Sequence, residues 1–261
     1  INKPVVLCFS GHDPSGGAGI QADIETIVSH QCHAASVITA LTEQDSHNVK
    51  KILPQAADDI IAQALTILND LPVKAIKIGL IANAETAKAI AYILNEYSSL
   101  PVVLDPVLAA GGGMSMSDDV LLSVIREELL SRTTILTPNS VEARKLVEVN
   151  DLQECGLRLL EYGCEYVLIT GTHEKSEAVV NQLYNQDSCI ETYTWDRLPH
   201  EYHGSGCTLA ASIASMLAHG LEVETVMLEA QEYTWNSLNN AYQISSGQYM
   251  PNRLFWMQDN I

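Results

Sequence analysis

Basic side chains are scarce in this sequence. Only 14 Lys and Arg stand against 32 Asp and Glu, a formal net charge of -18, and such a field repels nucleic acid and anionic membrane over most of the surface. A phosphate-bearing ligand must then be held locally, by helix N-termini and metal. Long apolar runs are absent too. Nothing approaches the ~18 residues of a membrane-spanning helix, and the run Pro4 to Phe9 is cut off by Gly11-His12-Asp13 too soon for a signal peptide. The six cysteines, at 8, 32, 155, 164, 189 and 207, show no C-x-x-C pair and no metal-ligand spacing. That argues against a zinc site and a disulfide framework, and reduced thiols point to the cytoplasm. No G-x-x-x-x-G-K-[ST] is present, which argues against a P-loop.

What is present suffices for a large core, since 47% of the 261 residues are hydrophobic. Apolar, β-branched runs alternate with stretches of helical spacing. Strands are expected at 5–10, 35–42, 73–78, 102–107, 134–137 and 166–170. Helices are expected at 20–30, 56–71, 84–97, 118–130 behind a Ser117 cap, 141–149 and 153–162. The polar stretch 43–51 leaves the core as a flap or edge segment. Shorter strands at 179–184 and 190–195 form an antiparallel hairpin, and helices at 207–219 and 223–244 precede a tail containing Pro251-Asn252-Arg253. No repeat, linker or break interrupts the pattern. It predicts one α/β domain over 1–261, a three-layer αβα sandwich whose largely parallel sheet carries helices on both faces and a small antiparallel edge hairpin.

The turn His203-Gly204-Ser205-Gly206-Cys207-Thr208 runs straight into the last-but-one helix, where Leu209, Ile213, Met216 and Leu217 form one apolar stripe. A helix start leaves unpaired N–H groups and a partial positive charge, so it can hold a phosphate if the entering chain lacks bulk. Gly204, Ser205 and Gly206 meet that requirement. Cys207 falls in the first turn, where the same field is expected to lower a thiol pKa. The plainer reading is a tight turn feeding a core helix, with Cys207 as a small buried hydrophobe.

Polar residues also gather just beyond the expected strand ends: Asp13, Asp105, Asn139 with Glu142, and Thr170 with Gly171. In an open α/β sheet that rim binds ligands. Asp105 before a proline, and Asn139 and Glu142 at i, i+3 on a helix start, suit water-mediated Mg²⁺ and nucleotide phosphate, or plain helix capping. Gly17-Ala18-Gly19-Ile20-Gln21-Ala22 matches G-x-G-x-x-A and brings in a dinucleotide oxidoreductase as an alternative, although six residues separate Ser10 from Gly17.

Ser10 to Asp23, Ser36 to Gln44, Lys77-Ile78-Gly79, Asp105-Pro106-Val107, Thr137-Pro138-Asn139 with Glu142, and Gly204 to Thr208 together resemble the hydroxymethylpyrimidine/phosphomethylpyrimidine kinases of thiamine biosynthesis. These kinases belong to the ribokinase-like superfamily. The resemblance implies a cytoplasmic, homodimeric enzyme that uses ATP and Mg²⁺ to phosphorylate 4-amino-5-hydroxymethyl-2-methylpyrimidine and then its monophosphate. It implies an anion hole at Gly204, Ser205 and Gly206, with Cys207 placed to accept the substrate hydroxyl proton, as a thiolate base or as a positioning group. Gly11, Asp23, Gln44, Leu80 and Val107 are implied around the pyrimidine, Asp105, Asn139, Thr170 and Gly171 at the nucleotide, and Asp105 and Glu142 at the metal.

One departure stands out: where such kinases commonly read Lys-Gly-Gly-His, this chain has Thr170-Gly171-Thr172-His173. Lys77 is then the nearest cation within a motif, and its stem could simply cover the sheet edge. A pyridoxal or pyridoxine kinase is the neighbouring alternative, with Gln44 and Asp23 favouring the aminopyrimidine. A non-catalytic vitamin-binding protein would leave the Gly204 to Cys207 turn without a purpose.

Overall fold

The alternating pattern folds as it reads. The computed structural model describes residues 3–109, 116–186 and 188–260. Its strands are β1 (Val5–His12), β2 (His33–Gln44), β3 (Val49–Pro54), β4 (Val73–Ile78), β5 (Val102–Leu104), β6 (Ile135–Leu136), β7 (Tyr166–Ile169), β8 (Ala178–Asn185) and β9 (Ser188–Asp196). Its α-helices are α1 (Gly19–Ser29), α2 (Ala57–Asp70), α3 (Ala84–Glu96), α4 (Asp119–Val124), α5 (Ser140–Val147), α6 (Leu152–Glu161), α7 (Ser205–Ala218) and α8 (Val223–Asn239). One sheet takes the order β3-β2-β1-β4-β5-β6-β7-β8-β9. The six strands from β2 to β7 in that order run parallel, while β3, β8 and β9 each pair antiparallel with the strand before them.

Strand alternation divides the core between two layers of helix. Leu7 and Phe9 point into one cluster with Ile60, Ile90, Leu146 and Leu159 of α2, α3, α5 and α6. Val6 and Cys8 point the other way, towards Ile20, Ile27, Ile213 and Met227 of α1, α7 and α8. Small residues at Ala210, Ala211, Ala214 and Ser215 are buried in α7, which lets that helix lie close against the sheet. No helix among the described residues is long and apolar enough to cross a membrane.

Several boundaries move for local reasons. The polar stretch 43–51 is an edge hairpin, because β2 extends to Gln44 and β3 pairs back onto it. The cap of α4 is Asp118, not Ser117: it stands three residues before Leu121 and accepts its N–H at 2.8 Å. That helix then continues through a π turn at Ile125–Leu129 and a 3₁₀ turn at Leu130–Arg132. Helix α8 stops at Asn239, short of the expected 244, since Tyr242 exchanges backbone hydrogen bonds with Met250.

Lys77 lies in the middle of the sheet on β4 and is fully buried, so its stem does not cover an edge. Its ammonium donates to both oxygens of Asp23, at 2.8 and 3.0 Å, and to Ser10 Oγ at 3.2 Å. Burial alone would lower the amine's pKa; Asp23, Cys207, Asp105 and Cys8 around it raise it above its ordinary value. Breaking such a pair strands a buried carboxylate. Lys77→Met should therefore lower stability by about 3–5 kcal/mol in chemical denaturation, and Lys77→Met with Asp23→Leu should recover part of that loss.

Candidate active site at the C-terminal rim of the sheet

The ends of the parallel strands deliver Asp13, Gly79-Leu80, Asp105, Asn139 and Thr170 to one rim, and α7 starts beside them. The chain leaves β1 through a loop organised by one carboxylate. Asp13 accepts from Ser15 N at 2.8 Å, Ser15 Oγ at 3.0 Å and Ala18 N at 2.9 Å. It also meets His203 Nε2 at 2.8 Å. Burial works against ionisation of Asp13, but the hydrogen bonds from His203 and Ser15 outweigh it and hold its pKa below the usual carboxylate value.

Gly204 is in the left-handed region at φ +83°, and a Cβ there would lie 2.1 Å from the Gly17 carbonyl oxygen. Only glycine lets these two loops meet. Helix α7 begins at Ser205, two residues earlier than its apolar stripe suggests, so the N–H groups of Ser205, Gly206 and Cys207 all fall in its first turn. The Asp105 carboxylate faces Gly206, whose added Cβ would stand 3.4 Å from Oδ2. The expected acidification of Cys207 is reversed. Burial pushes its thiol up to about 11, and the opposing pull of Lys77 and of the Gly19 backbone does not overcome burial together with the repulsion of Asp105 and Asp23.

Four of the five residues expected around the ring come together. Leu80 packs against Gly11, where an added Cβ would fall 2.8 Å from its Cδ2, and Val107 joins Leu80, Ala40, Val49 and Met116 in a small apolar cluster. Gln44 borders this cluster, with hydrogen bonds to Thr42 Oγ1 at 3.1 Å and His203 Nε2 at 2.9 Å. Asp23 stands apart from these four: it is fully buried on α1, with both oxygens accepting from Lys77 and one also from Ser10.

On the nucleotide side, Asn139 and Glu142 form a complete capping box for α5. The Asn139 side chain accepts from Val141 and Glu142 N, and the Glu142 carboxylate accepts from Asn139 N at 3.0 Å. Its other oxygen accepts from Leu108 N at 3.2 Å. Burial raises the pKa of both Asp105 and Glu142; Asp23 adds to the first, which Lys77 opposes, and Asp105 adds to the second. Two enclosed carboxylates that resist ionisation fit a cation. With Glu142 occupied by backbone N–H groups, Asp105 suits direct contact and Glu142 contact through water, the manner of Mg²⁺.

Thr170 is bound to the α5 start through Ser140 N and Pro138 O. The Gly171 N–H donates to Asn181 Oδ1 at 3.0 Å, and the position is glycine because a Cβ would meet Val180 O at 2.2 Å. The loop beyond is held by two arginines that the sequence reading passed over. Arg144 grips Glu174 at 2.7 and 3.1 Å, and Arg197 donates to the carbonyls of Thr172, Glu174 and Ser176. Two glycines of the α7 turn should answer substitution with opposite signs. Gly204→Ala should cost at least about 1–2 kcal/mol for the left-handed backbone alone, whereas Gly206→Ala should keep or raise the melting temperature, as alanine does within a helix.

The sequence matches the phosphomethylpyrimidine kinase family model over residues 13–252. It is 34% identical to the hydroxymethylpyrimidine/phosphomethylpyrimidine kinase of Synechococcus elongatus, over 94% of this chain and 95% of that one. Among solved structures it is similar to an ADP complex of Bacillus subtilis pyridoxal kinase, with a TM-score of 0.88 and 27% identity over 98% of this chain and 100% of that one. It is also similar to phosphomethylpyrimidine kinase from Clostridium difficile, with a TM-score of 0.79 and 28% identity over 90% and 100%. This likeness, end to end, leaves the dinucleotide oxidoreductase without support. With its rim of carboxylates facing a glycine-led helix start on a ribokinase-like fold, the chain belongs to the phosphomethylpyrimidine kinase family and is a phosphotransferase.

Proposed function

We propose that this enzyme moves the γ-phosphoryl group of ATP onto the hydroxymethyl oxygen of 4-amino-5-hydroxymethyl-2-methylpyrimidine, and then phosphorylates the monophosphate, for thiamine biosynthesis. The observation that carries this is the meeting of the α7 first turn, Asp105 and the apolar cluster of Leu80 and Val107 at one rim, in a chain matched end to end by pyrimidine kinases. Phosphoryl transfer needs positioning and charge stabilisation more than covalent help. The N–H groups of Ser205, Gly206 and Cys207 stabilise the charge on the transferring group. Gly11, Leu80 and Val107 hold the ring, and Gln44, which can donate and accept, reads its polar edge. Asp105 and Glu142 would hold Mg²⁺, which would neutralise charge on the nucleotide phosphates. Asn139 and Thr170 stand on the nucleotide side.

Cys207 acts as a neutral thiol that orients the substrate hydroxyl. With its pKa raised to about 11, a thiolate base would make the rate climb tenfold per pH unit through the alkaline range. An orienting thiol predicts instead that log kcat is nearly flat from about pH 7 to 9. Cys207→Ala should lower kcat by about 10²-fold, and Cys207→Ser should lose less.

A pyridoxal kinase is the second reading, favoured by the high structural likeness to the B. subtilis enzyme. Mass-resolved products from Mg²⁺-ATP with either acceptor separate the two. Mono- and diphosphorylated pyrimidine are expected, and turnover of pyridoxal alone would transfer the assignment. Thr170→Lys should lower the KM for ATP by restoring a cation beside the phosphates, with kcat for the pyrimidine little changed.

A further inference from the structure

The tail residue Arg253 is 2% exposed, and its guanidinium is spent inside the protein. Nη2 donates to the Gly17 carbonyl, and Nε donates to Thr208 Oγ1 at 2.9 Å. Thr208 in turn donates its hydroxyl to the Gly204 carbonyl at 2.8 Å. A Cβ on Gly204 would lie 2.8 Å from Nη2, so the guanidinium sits directly behind the turn. The remaining nitrogen, Nη1, donates to Oε2 of Glu25 at 3.0 Å, and the Glu25 side chain is 42% exposed. The backbone of the tail is anchored independently: Tyr233 Oη donates to Arg253 O at 2.6 Å, and Asn252 N donates to Ser237 O at 2.9 Å.

We propose that Arg253 is a positioning residue for phosphoryl transfer, clamping the Gly17 loop to the first turn of α7 and fixing the direction of the N–H groups from Ser205 to Cys207. The inference rests on reading that turn as the anion hole. Its chemistry favours such a role over mere filling. An apolar side chain would occupy an enclosed site at lower desolvation cost, and a planar fork is the group that can bridge a carbonyl and a hydroxyl on different loops at once. Among the described residues its carboxylate partner is Glu25, which lies towards solvent and leaves positive charge behind the turn in a chain whose net charge is -18.

The test measures kcat, KM for ATP and for hydroxymethylpyrimidine, and folded fraction in the full-length enzyme. Arg253→Lys and Arg253→Met should lower kcat per folded molecule by at least about 10-fold while both KM values move less than about 3-fold, the mark of an interaction used in the transition state. Glu25→Gln should stay within about 3-fold of the unaltered enzyme. Should the Arg253 variants not fold, the same bridge is cut from its other end: Thr208→Val should reproduce the kcat loss and Thr208→Ser should restore it. Wild-type kcat per folded molecule in either Arg253 variant, or in Thr208→Val, overturns the proposal while leaving the kinase reading intact. An unaltered enzyme that phosphorylates neither pyrimidine nor pyridoxal overturns both.

Discussion

Two stretches of backbone from opposite ends of the chain touch at Gly17 and Gly204, and the rim is built around that contact. A side chain on Gly204 would drive its Cβ to 2.1 Å from the Gly17 oxygen. Their meeting places the first turn of α7 over Asp105, and it brings His203 between Asp13 and Gln44. A loop that follows β1 and a helix that follows β9 thereby act as one wall. The direction of the backbone N–H groups at the start of α7 follows the chain path, and the chain path is set by this contact.

Charge in this protein is arranged by depth. At the surface, acidic side chains dominate. Beneath the rim, Lys77 and Asp23 neutralise each other, while Asp105 and Glu142 lie enclosed with no basic side chain among the described residues in direct hydrogen bond to them. That imbalance suits a site whose cation arrives with the nucleotide. Cys207 beside them is hard to ionise: burial and the carboxylates of Asp105 and Asp23 outweigh the pull of Lys77 and of the Gly19 backbone.

Most of the fold was legible because hydrophobic period is a local property. The parallel strands, the helices between them and the β8–β9 hairpin stand where the apolar runs place them, to within a few residues. The glycine motifs were legible for the same reason, since glycine signals backbone that tolerates no side chain. Roles that depend on a distant partner were not. Asp23 lies in a glycine-rich motif, and nothing near it in sequence points to Lys77, 54 positions away, which donates to both its oxygens. Arg253 carried no signal beyond a tail, because its partners Gly17, Glu25 and Thr208 belong to segments far from it in sequence.

The sequence by itself therefore determined the α/β class, the strand and helix succession, the glycine turn that opens α7 and the type of chemistry, because each of these is written in neighbouring residues. Only the tertiary structure decided which charged groups are free to meet a ligand, which are consumed in the core, and how firmly the two glycine loops are joined. Those outcomes depend on burial and on pairs separated by tens to hundreds of residues. No local pattern encodes which partner a buried charge will find.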